Sequence, residues 1–243
     1  MRKVYLVPNL ITTGNMFCGF LSVVSSCQGE FKTAAWTLFL AAIFDSLDGR
    51  IARMARATSP FGVQYDSLSD LTSFGIAPGI LLYQFALSSL GRAGLAFSFL
   101  FALCSALRLA RFNVTASKLP KNFFQGLPTP MAANMVAFMV IFTLHRGADP
   151  LSKSGLMLAL AIGLSMLMVS SLAFPSFKEF HWRSRGSFGI FFVGLLSVIV
   201  ILMRPEVTLF AMGCIYILGS LAWNLLVRMG WLTPVNTSAP VDQ

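Results

Sequence analysis

Long apolar stretches separated by short polar segments make up most of the chain. A helix needs roughly 20 apolar residues to cross the hydrocarbon core of a bilayer. The pattern therefore predicts an all-α integral membrane protein with about eight spanning helices. The first stretch has no small-residue cleavage site, so we expect a retained helix and not a removed signal peptide. The apolar stretches are residues 10–27, 33–54, 68–90, 94–112, 131–144, 156–174, 188–203 and 207–227.

The composition indicates the same class of protein. Hydrophobic residues account for 56% of the chain and charged residues for 11%, whereas a soluble domain carries about 25% charged residues. The net charge is +9, but the sequence contains no soluble basic domain, so we expect no nucleic-acid partner. We expect the basic residues to form a surface suited to lipid head groups and phosphates. We predict one membrane domain, residues 1–231, followed by a short disordered tail, residues 232–243.

The distribution of Lys and Arg predicts the orientation in the membrane. Most of the 18 basic residues fall on alternate connections, which the positive-inside rule assigns to the cytoplasm. We therefore expect both termini on the cytoplasmic side, in the inner membrane if the protein is bacterial. The same rule puts the connection between the second and third apolar stretches in the cytoplasm.

Four of the nine acidic residues are aspartates in one short segment, residues 44–75. Asp45 and Asp48 are three residues apart, and Asp66 and Asp70 are four apart, so each pair shares one face of a helix. Two antiparallel helices joined by a short loop would direct all four carboxylates at a common volume. Gly49 and Gly62 near these faces leave room for a bulky ligand to approach the backbone.

Carboxylates gathered at membrane depth cannot all remain ionised without compensation by shared protons, a nearby arginine or divalent cations. Hard cations such as Mg²⁺ or Mn²⁺ take oxygen ligands and suit phosphate substrates, and two such ions can clamp a phosphoryl displacement. A proton- or cation-coupled transporter is an alternative. Transporters tend to repeat a pair of broken helices, whereas these acids occur once.

The segment reads D-x-x-D-G-x-x-A-R, then eight residues, then G-x-x-x-D-x-x-x-D. It resembles, at every fixed position, the signature of the CDP-alcohol phosphatidyltransferase family. The resemblance implies a membrane enzyme with a six-helix core, here with about two further helices, and usually a homodimer. Such an enzyme transfers a phosphatidyl group from a CDP-linked lipid to an alcohol and releases CMP.

The resemblance also implies roles for individual residues. Asp45, Asp48 and Asp66 would bind two divalent cations, Mg²⁺ or Mn²⁺, and Asp70 would line that metal site and act as general base. The nucleotide and diphosphate would lie against Thr12, Gly49, Ala52, Arg53 and Gly62.

Three further motifs resemble the phosphatidylserine synthase branch of the family: residues 8–19, 107–113 and 123–134. CDP-diacylglycerol and serine are then the expected substrates, and choline, inositol or glycerol phosphate are alternative acceptors. Arg108 and Arg111 fall at the end of the fourth apolar helix, and either could hold the lipid phosphate or the serine carboxylate by bidentate hydrogen bonds. Ordinary positive-inside arginines are the alternative interpretation of both.

Overall fold

A computed structural model describes residues 6–54, 59–115, 123–147, 151–175 and 203–231. Within these ranges the chain is almost entirely helical, with two short strands. The helices are α1 Leu6–Cys27, α2 Phe31–Met54, α3 Pro60–Leu71, α4 Ala77–Phe85, α5 Arg92–Thr115, α6 Thr129–His145, α7 Ser154–Val169 and α8 Pro205–Arg228, and the strands are β1 Phe123–Gln125 and β2 Ala173–Pro175.

The predicted all-α membrane class is confirmed. Three helices are long and apolar enough to cross a bilayer, by length and composition, among the residues described: Pro8–Cys27, Arg92–Thr115 and Pro205–Arg228. The helices α6 and α7 are apolar but shorter. The predicted stretch 188–203, apart from its last residue, and the predicted tail 232–243 lie outside the described residues.

The predicted end of the sixth apolar helix is wrong. The apolar stretch 156–174 does not stay helical to its end, because α7 stops at Val169 and residues 173–175 form β2. Phe174 pairs with Phe124 of β1 in an antiparallel ladder. Asn224 of α8 fixes this strand, donating to the Ala173 carbonyl at 2.8 Å and accepting from the Ala173 amide at 3.0 Å. Hydropathy alone could not separate an apolar strand from an apolar helix end.

The helix α3 begins at a strong local signal. Ser59 accepts a hydrogen bond from the Gly62 amide at 3.0 Å, and Pro60 occupies the first helical position. A serine cap satisfies one amide that the first helical turn leaves unpaired, and proline has no amide to leave unpaired there. The start of α3 therefore fixes where Asp66 and Asp70 fall along the helix.

A π-helical turn, Thr72–Ile76, joins α3 to α4. Pro78 follows it and lacks the N–H that would bond the Phe74 carbonyl four residues earlier, so the regular ladder is interrupted. Ser105 of α5 instead donates to that carbonyl at 3.5 Å. The π-helical turn begins two residues after Asp70 and packs against α1.

The helix α1 packs along α2 on one side and against α3, the π-helical turn and α4 on the other. A close approach is at Gly19, where an added Cβ would lie 2.7 Å from the Cα of Ser73. The chain neighbours of this contact, Cys18 and Phe74, are buried in a small apolar cluster with Ala41 and Ala133, and a larger core elsewhere includes Leu38 and Leu81. Because only glycine fits at this crossing, α1 can lie between the two helices that carry the aspartates.

Candidate active site

Three of the four aspartates bring their carboxylates together from α2 and α3, the two helices that flank α1. Asp45, Asp48 and Asp66 each offer a carboxylate oxygen, and these oxygens all lie within 4.8 Å of one another. Asp48 is buried and the other two are partly buried. Helical spacing on α2 and α3 thus converges on a single volume, as the sequence pattern predicts.

The donor set fits a divalent cation. Asp66 Oδ1 is buried and has no hydrogen-bond partner in the part of the chain that the structure describes. Burial raises the pKa of this carboxyl group, because removing a charge from water disfavours the ionised form. A hard cation at the centre of the three carboxylates would supply both the missing contact and the missing positive charge.

Asp70 lies one turn beyond Asp66 on α3. It is close enough to Asp45, Asp48 and Asp66 to interact electrostatically with all three. Its own direct partner is Asn15 of α1, whose Nδ2 donates to Asp70 Oδ1 at 3.1 Å. Asp70 is therefore beside the three-carboxylate group, and a neutral amide holds it.

One face of α1 supports both pairs of aspartates. Thr12 donates to Asp48 Oδ2 at 2.9 Å, and Asn15, three residues later, donates to Asp70. In the other direction, Ser69 donates to the Thr12 carbonyl at 3.0 Å and Ser73 to the Asn15 carbonyl at 2.9 Å. The hydrogen bonds thus fix α1 relative to α2 and α3 at the level of the carboxylates.

The predicted nucleotide residues differ in how far the structure describes them. Gly49 is half-buried on α2 next to Asp48. At Gly62 an added Cβ would lie 3.2 Å from Ser59 Oγ and 3.5 Å from Asn9 Oδ1, so a side chain would crowd the cap of α3. Ala52 and Arg53 lie in α2, but their side chains are outside the described residues. The hydroxyl group of Thr12 is used in its hydrogen bond to Asp48.

Arg108 is a buried cation beside the aspartates. Its side chain is 6% exposed, and its Nε has no hydrogen-bond partner in the described ranges. Nη1 makes a long contact of 3.4 Å with Thr129 Oγ1 at the start of α6. Asp70 interacts with it electrostatically. A buried guanidinium N–H without an acceptor is costly, so this group is suited to an anionic ligand.

Arg111 differs from Arg108 in its partners. Its Nη1 donates to the Val169 carbonyl at 2.8 Å, and its Nη2 lies within 3.2 Å of three more carbonyl oxygens. Those carbonyls belong to Gln125, Met168 and Ser170. The guanidinium thus satisfies the carbonyls that the last turn of α7 leaves unpaired, where a cation also complements the helix dipole.

Two site residues were not among the sequence candidates. Asn15 contacts Asp70, and Thr129 contacts Arg108. Asn15 has a sequence signal, because a polar residue three positions after Thr12 in an apolar helix shares its face. Thr129 has a weaker one, since a threonine between two prolines is typical of a helix start.

Comparison with known proteins agrees with this geometry. Residues 5–169 match the sequence model of the CDP-alcohol phosphatidyltransferase family. A CDP-diacylglycerol–serine O-phosphatidyltransferase of Helicobacter pylori is 34% identical over 228 residues, covering 93% of this chain and 94% of that protein. One from Bacillus subtilis is 37% identical over 174 residues, covering 71% of this chain and 92% of the relative.

An archaeal relative has a related name. The archaetidylserine synthase of Methanothermobacter thermautotrophicus is 37% identical over 171 residues, covering 70% of this chain and 69% of that protein. The family match includes α1 to α7 and so contains all four aspartates with the face of α1 that holds them. On this evidence the chain belongs to the CDP-alcohol phosphatidyltransferase family.

Proposed function

We propose that this protein is a CDP-diacylglycerol–serine O-phosphatidyltransferase. The hydroxyl oxygen of serine forms a bond to the phosphatidyl phosphorus, and the bond from that phosphorus to the CMP oxygen breaks. Asp70 takes the hydroxyl proton, and CMP leaves with the bonding electron pair. The observation that carries the proposal is the grouping of Asp45, Asp48 and Asp66 within 4.8 Å, beside Asp70. The names of the relatives from bacteria support serine as the acceptor.

The three grouped aspartates would hold the divalent cations, two ions of Mg²⁺ or Mn²⁺. When bound, such ions neutralise the diphosphate charge and stabilise the attacking and leaving oxygens of the displacement. Thr12 donates to Asp48 and so fixes the orientation of one ligand. This contact favours a supporting role for Thr12 over a direct contact with the nucleotide. We propose that the nucleotide and diphosphate lie against Gly49, Ala52, Arg53 and Gly62.

Asp70 would act as the general base. A serine hydroxyl is a poor nucleophile until a carboxylate within hydrogen-bond reach accepts its proton. Asn15 donates to one oxygen of Asp70, which leaves the other oxygen to face the acceptor. Positive charge at the neighbouring three aspartates would keep Asp70 ionised, because opposite charge nearby favours the charged form of a carboxyl group.

Arg108 would bind the carboxylate of serine. It is buried, its Nε has no partner in the part of the chain that is described, and it lies near enough to Asp70 to interact with it. An acceptor held there by its carboxylate would bring its hydroxyl toward the base. Arg111 has its guanidinium among four backbone carbonyls, which favours a structural role for it.

We further propose that the protein works as a homodimer with its active site at the cytoplasmic face of the membrane. The excess of Lys and Arg on one set of connections supports this orientation. The dimer rests on family membership alone. With the site at this face, serine would enter from the aqueous side while the acyl chains of CDP-diacylglycerol stay in the bilayer.

Acceptor competition tests the proposed function. The purified protein is given CDP-diacylglycerol, Mg²⁺ or Mn²⁺, and equal concentrations of serine, choline, inositol and glycerol phosphate, and the lipid products are identified. We expect phosphatidylserine as the main product, with one CMP released for each molecule formed. If a different phospholipid were the main product, the acceptor would be another alcohol, and the reaction type would be unchanged. No CMP release with any acceptor would contradict the enzyme assignment and favour the transporter alternative.

A further inference from the structure

Asn15 lies at the point where α1 meets the acidic site. Its side chain is fully buried, and its Nδ2 donates to Asp70 Oδ1 at 3.1 Å. Its backbone carbonyl accepts from Ser73 Oγ at 2.9 Å, and Ser73 in turn packs directly on Gly19 of α1. Both the backbone and the side chain of Asn15 are thus fixed relative to the turn that follows Asp70.

The asparagine at this position has an unpaired atom as well as a hydrogen bond to the site. The Oδ1 atom of Asn15 is buried and has no hydrogen-bond partner in the described part of the chain. An unpaired buried acceptor destabilises a fold, so the amide is not chosen for its packing alone. An apolar side chain of similar shape would remove that unpaired atom, but it would leave Asp70 Oδ1 without its donor. What only the asparagine provides is the N–H donor aimed at Asp70.

We propose that Asn15 is a positioning residue for Asp70. Its N–H group holds one oxygen of the Asp70 carboxylate and thereby directs the other oxygen at the acceptor hydroxyl. A fixed donor also restricts the rotation of the Asp70 side chain, which otherwise has several orientations between α1 and α3. The inference rests on the proposed function, in which Asp70 is the base, and it adds a residue of α1 to that step.

The first test compares two substitutions on the same face of α1. Asn15→Leu removes the donor to Asp70. Ser22→Ala, two turns further along, removes a buried hydrogen bond to the Ala34 carbonyl of 2.9 Å that is remote from the aspartates. We expect Asn15→Leu to lower kcat by about 10- to 100-fold, the usual effect of losing an outer partner of a site group. Its KM for serine and for CDP-diacylglycerol should stay within about twofold of wild type, and Ser22→Ala should leave kcat unchanged.

A double-mutant cycle with Asp70→Asn separates positioning from a general structural effect. If Asn15 acts through Asp70, Asn15→Leu should lower kcat in the wild-type background and have no further effect in the Asp70→Asn background. An equal loss in both backgrounds would overturn the proposal. A raised KM for serine with unchanged kcat would also overturn it, because Asn15 would then be a substrate contact.

Asn15→Asp keeps the shape of the side chain and supplies the test if the leucine variant does not fold. It replaces the N–H donor with a carboxylate oxygen, so we expect a loss of kcat at least as large. Failure of both variants to fold would mean that the role is structural and would overturn the proposal. If the wild type transfers to another alcohol, all variants are assayed with that alcohol. A wrong acceptor assignment is then distinguished from a wrong role for Asn15.

Discussion

Arg108 and Arg111 lie on the same helix, three residues apart, yet their guanidinium groups have opposite surroundings. Arg108 is buried with its Nε unpaired in the described ranges, whereas Arg111 contacts four backbone carbonyls. One carbonyl belongs to Gln125 of β1, and the other three come from the end of α7, which is distant from α5 in sequence. The two arginines that the sequence presents as equivalent candidates are therefore suited to different tasks.

Substitution of Arg108 should weaken binding of the acceptor. Arg108→Ala removes the cation that we place opposite the serine carboxylate, and a charge-assisted bidentate contact contributes strongly to binding. We expect KM for serine to rise at least about 10-fold, the equivalent of about 1.4 kcal/mol, with a smaller change in KM for CDP-diacylglycerol. Steady-state kinetics with each substrate varied in turn provide the measurement. The matched control is Arg92→Ala, which removes an exposed arginine at the other end of α5. Unchanged KM values for both substrates would contradict this role and favour the interpretation of Arg108 as an ordinary positive-inside arginine.

Substitution of Arg111 should instead lower stability. Arg111→Ala leaves the carbonyls of Val169 and its neighbours without their donor, and hydrogen bonds to charged groups each contribute about 1.5–3 kcal/mol. We expect a clearly lower unfolding temperature in detergent, and a loss of activity that follows the fraction of folded protein. Because Arg111 is only partly buried, water can replace some of these contacts, and we expect the free energy of unfolding to fall by about 2 kcal/mol, the contribution of one such bond and not the sum of all four. A variant of normal stability with a raised KM for serine would show that Arg111 contacts the substrate.

Metal binding should depend on the three grouped aspartates. Chelation of divalent cations should abolish turnover, and Asp45→Asn or Asp66→Asn should reduce it by several orders of magnitude. Binding has a second measurement, because a ligand at 100 times its Kd stabilises the folded state by about 2.7 kcal/mol. Mn²⁺ should therefore raise the unfolding temperature of wild type and of Glu206→Gln, an acidic residue at the start of α8, but not that of Asp66→Asn. Full activity in excess chelator would contradict the metal assignment.

The close crossing of α1 and the π-helical turn should be intolerant of a methyl group. Gly19→Ala puts a Cβ 2.7 Å from the Cα of Ser73, so the two segments must separate, and overpacking of this kind costs about 1–3 kcal/mol. Because Asn15 and Asp70 lie beside this contact, kcat should fall as well. Gly163→Ala in α7 is the matched control, since nothing lies within 4 Å of its added Cβ. It should be neutral or stabilising by up to about 1 kcal/mol. Equal effects of the two substitutions would contradict the packing argument.

Residue spacing was sufficient to predict those features of the site that depend on residues close together in the sequence. The three- and four-residue spacings of the aspartates predict their shared faces, and the structure brings Asp45, Asp48 and Asp66 together. The partners of Arg111 could not be predicted, because they depend on how α5, β1 and α7 meet. The end of α7 at Val169 was missed for a related reason, since its apolar continuation becomes a strand only by pairing with β1. Tertiary contacts, and not local propensity, decide such positions.

Asp70→Asn tests the proposed base directly, with lipid binding and turnover measured on one preparation. The substitution preserves shape and hydrogen-bonding capacity but removes basicity. Binding of Mn²⁺ and of CDP-diacylglycerol should be retained, while serine-dependent CMP release should fall by about 100- to 10,000-fold, the contribution expected of a general base. Retained binding with lost transfer would identify Asp70 as the general base. Normal turnover would remove Asp70 from the base role, and loss of metal binding would make it a metal ligand instead.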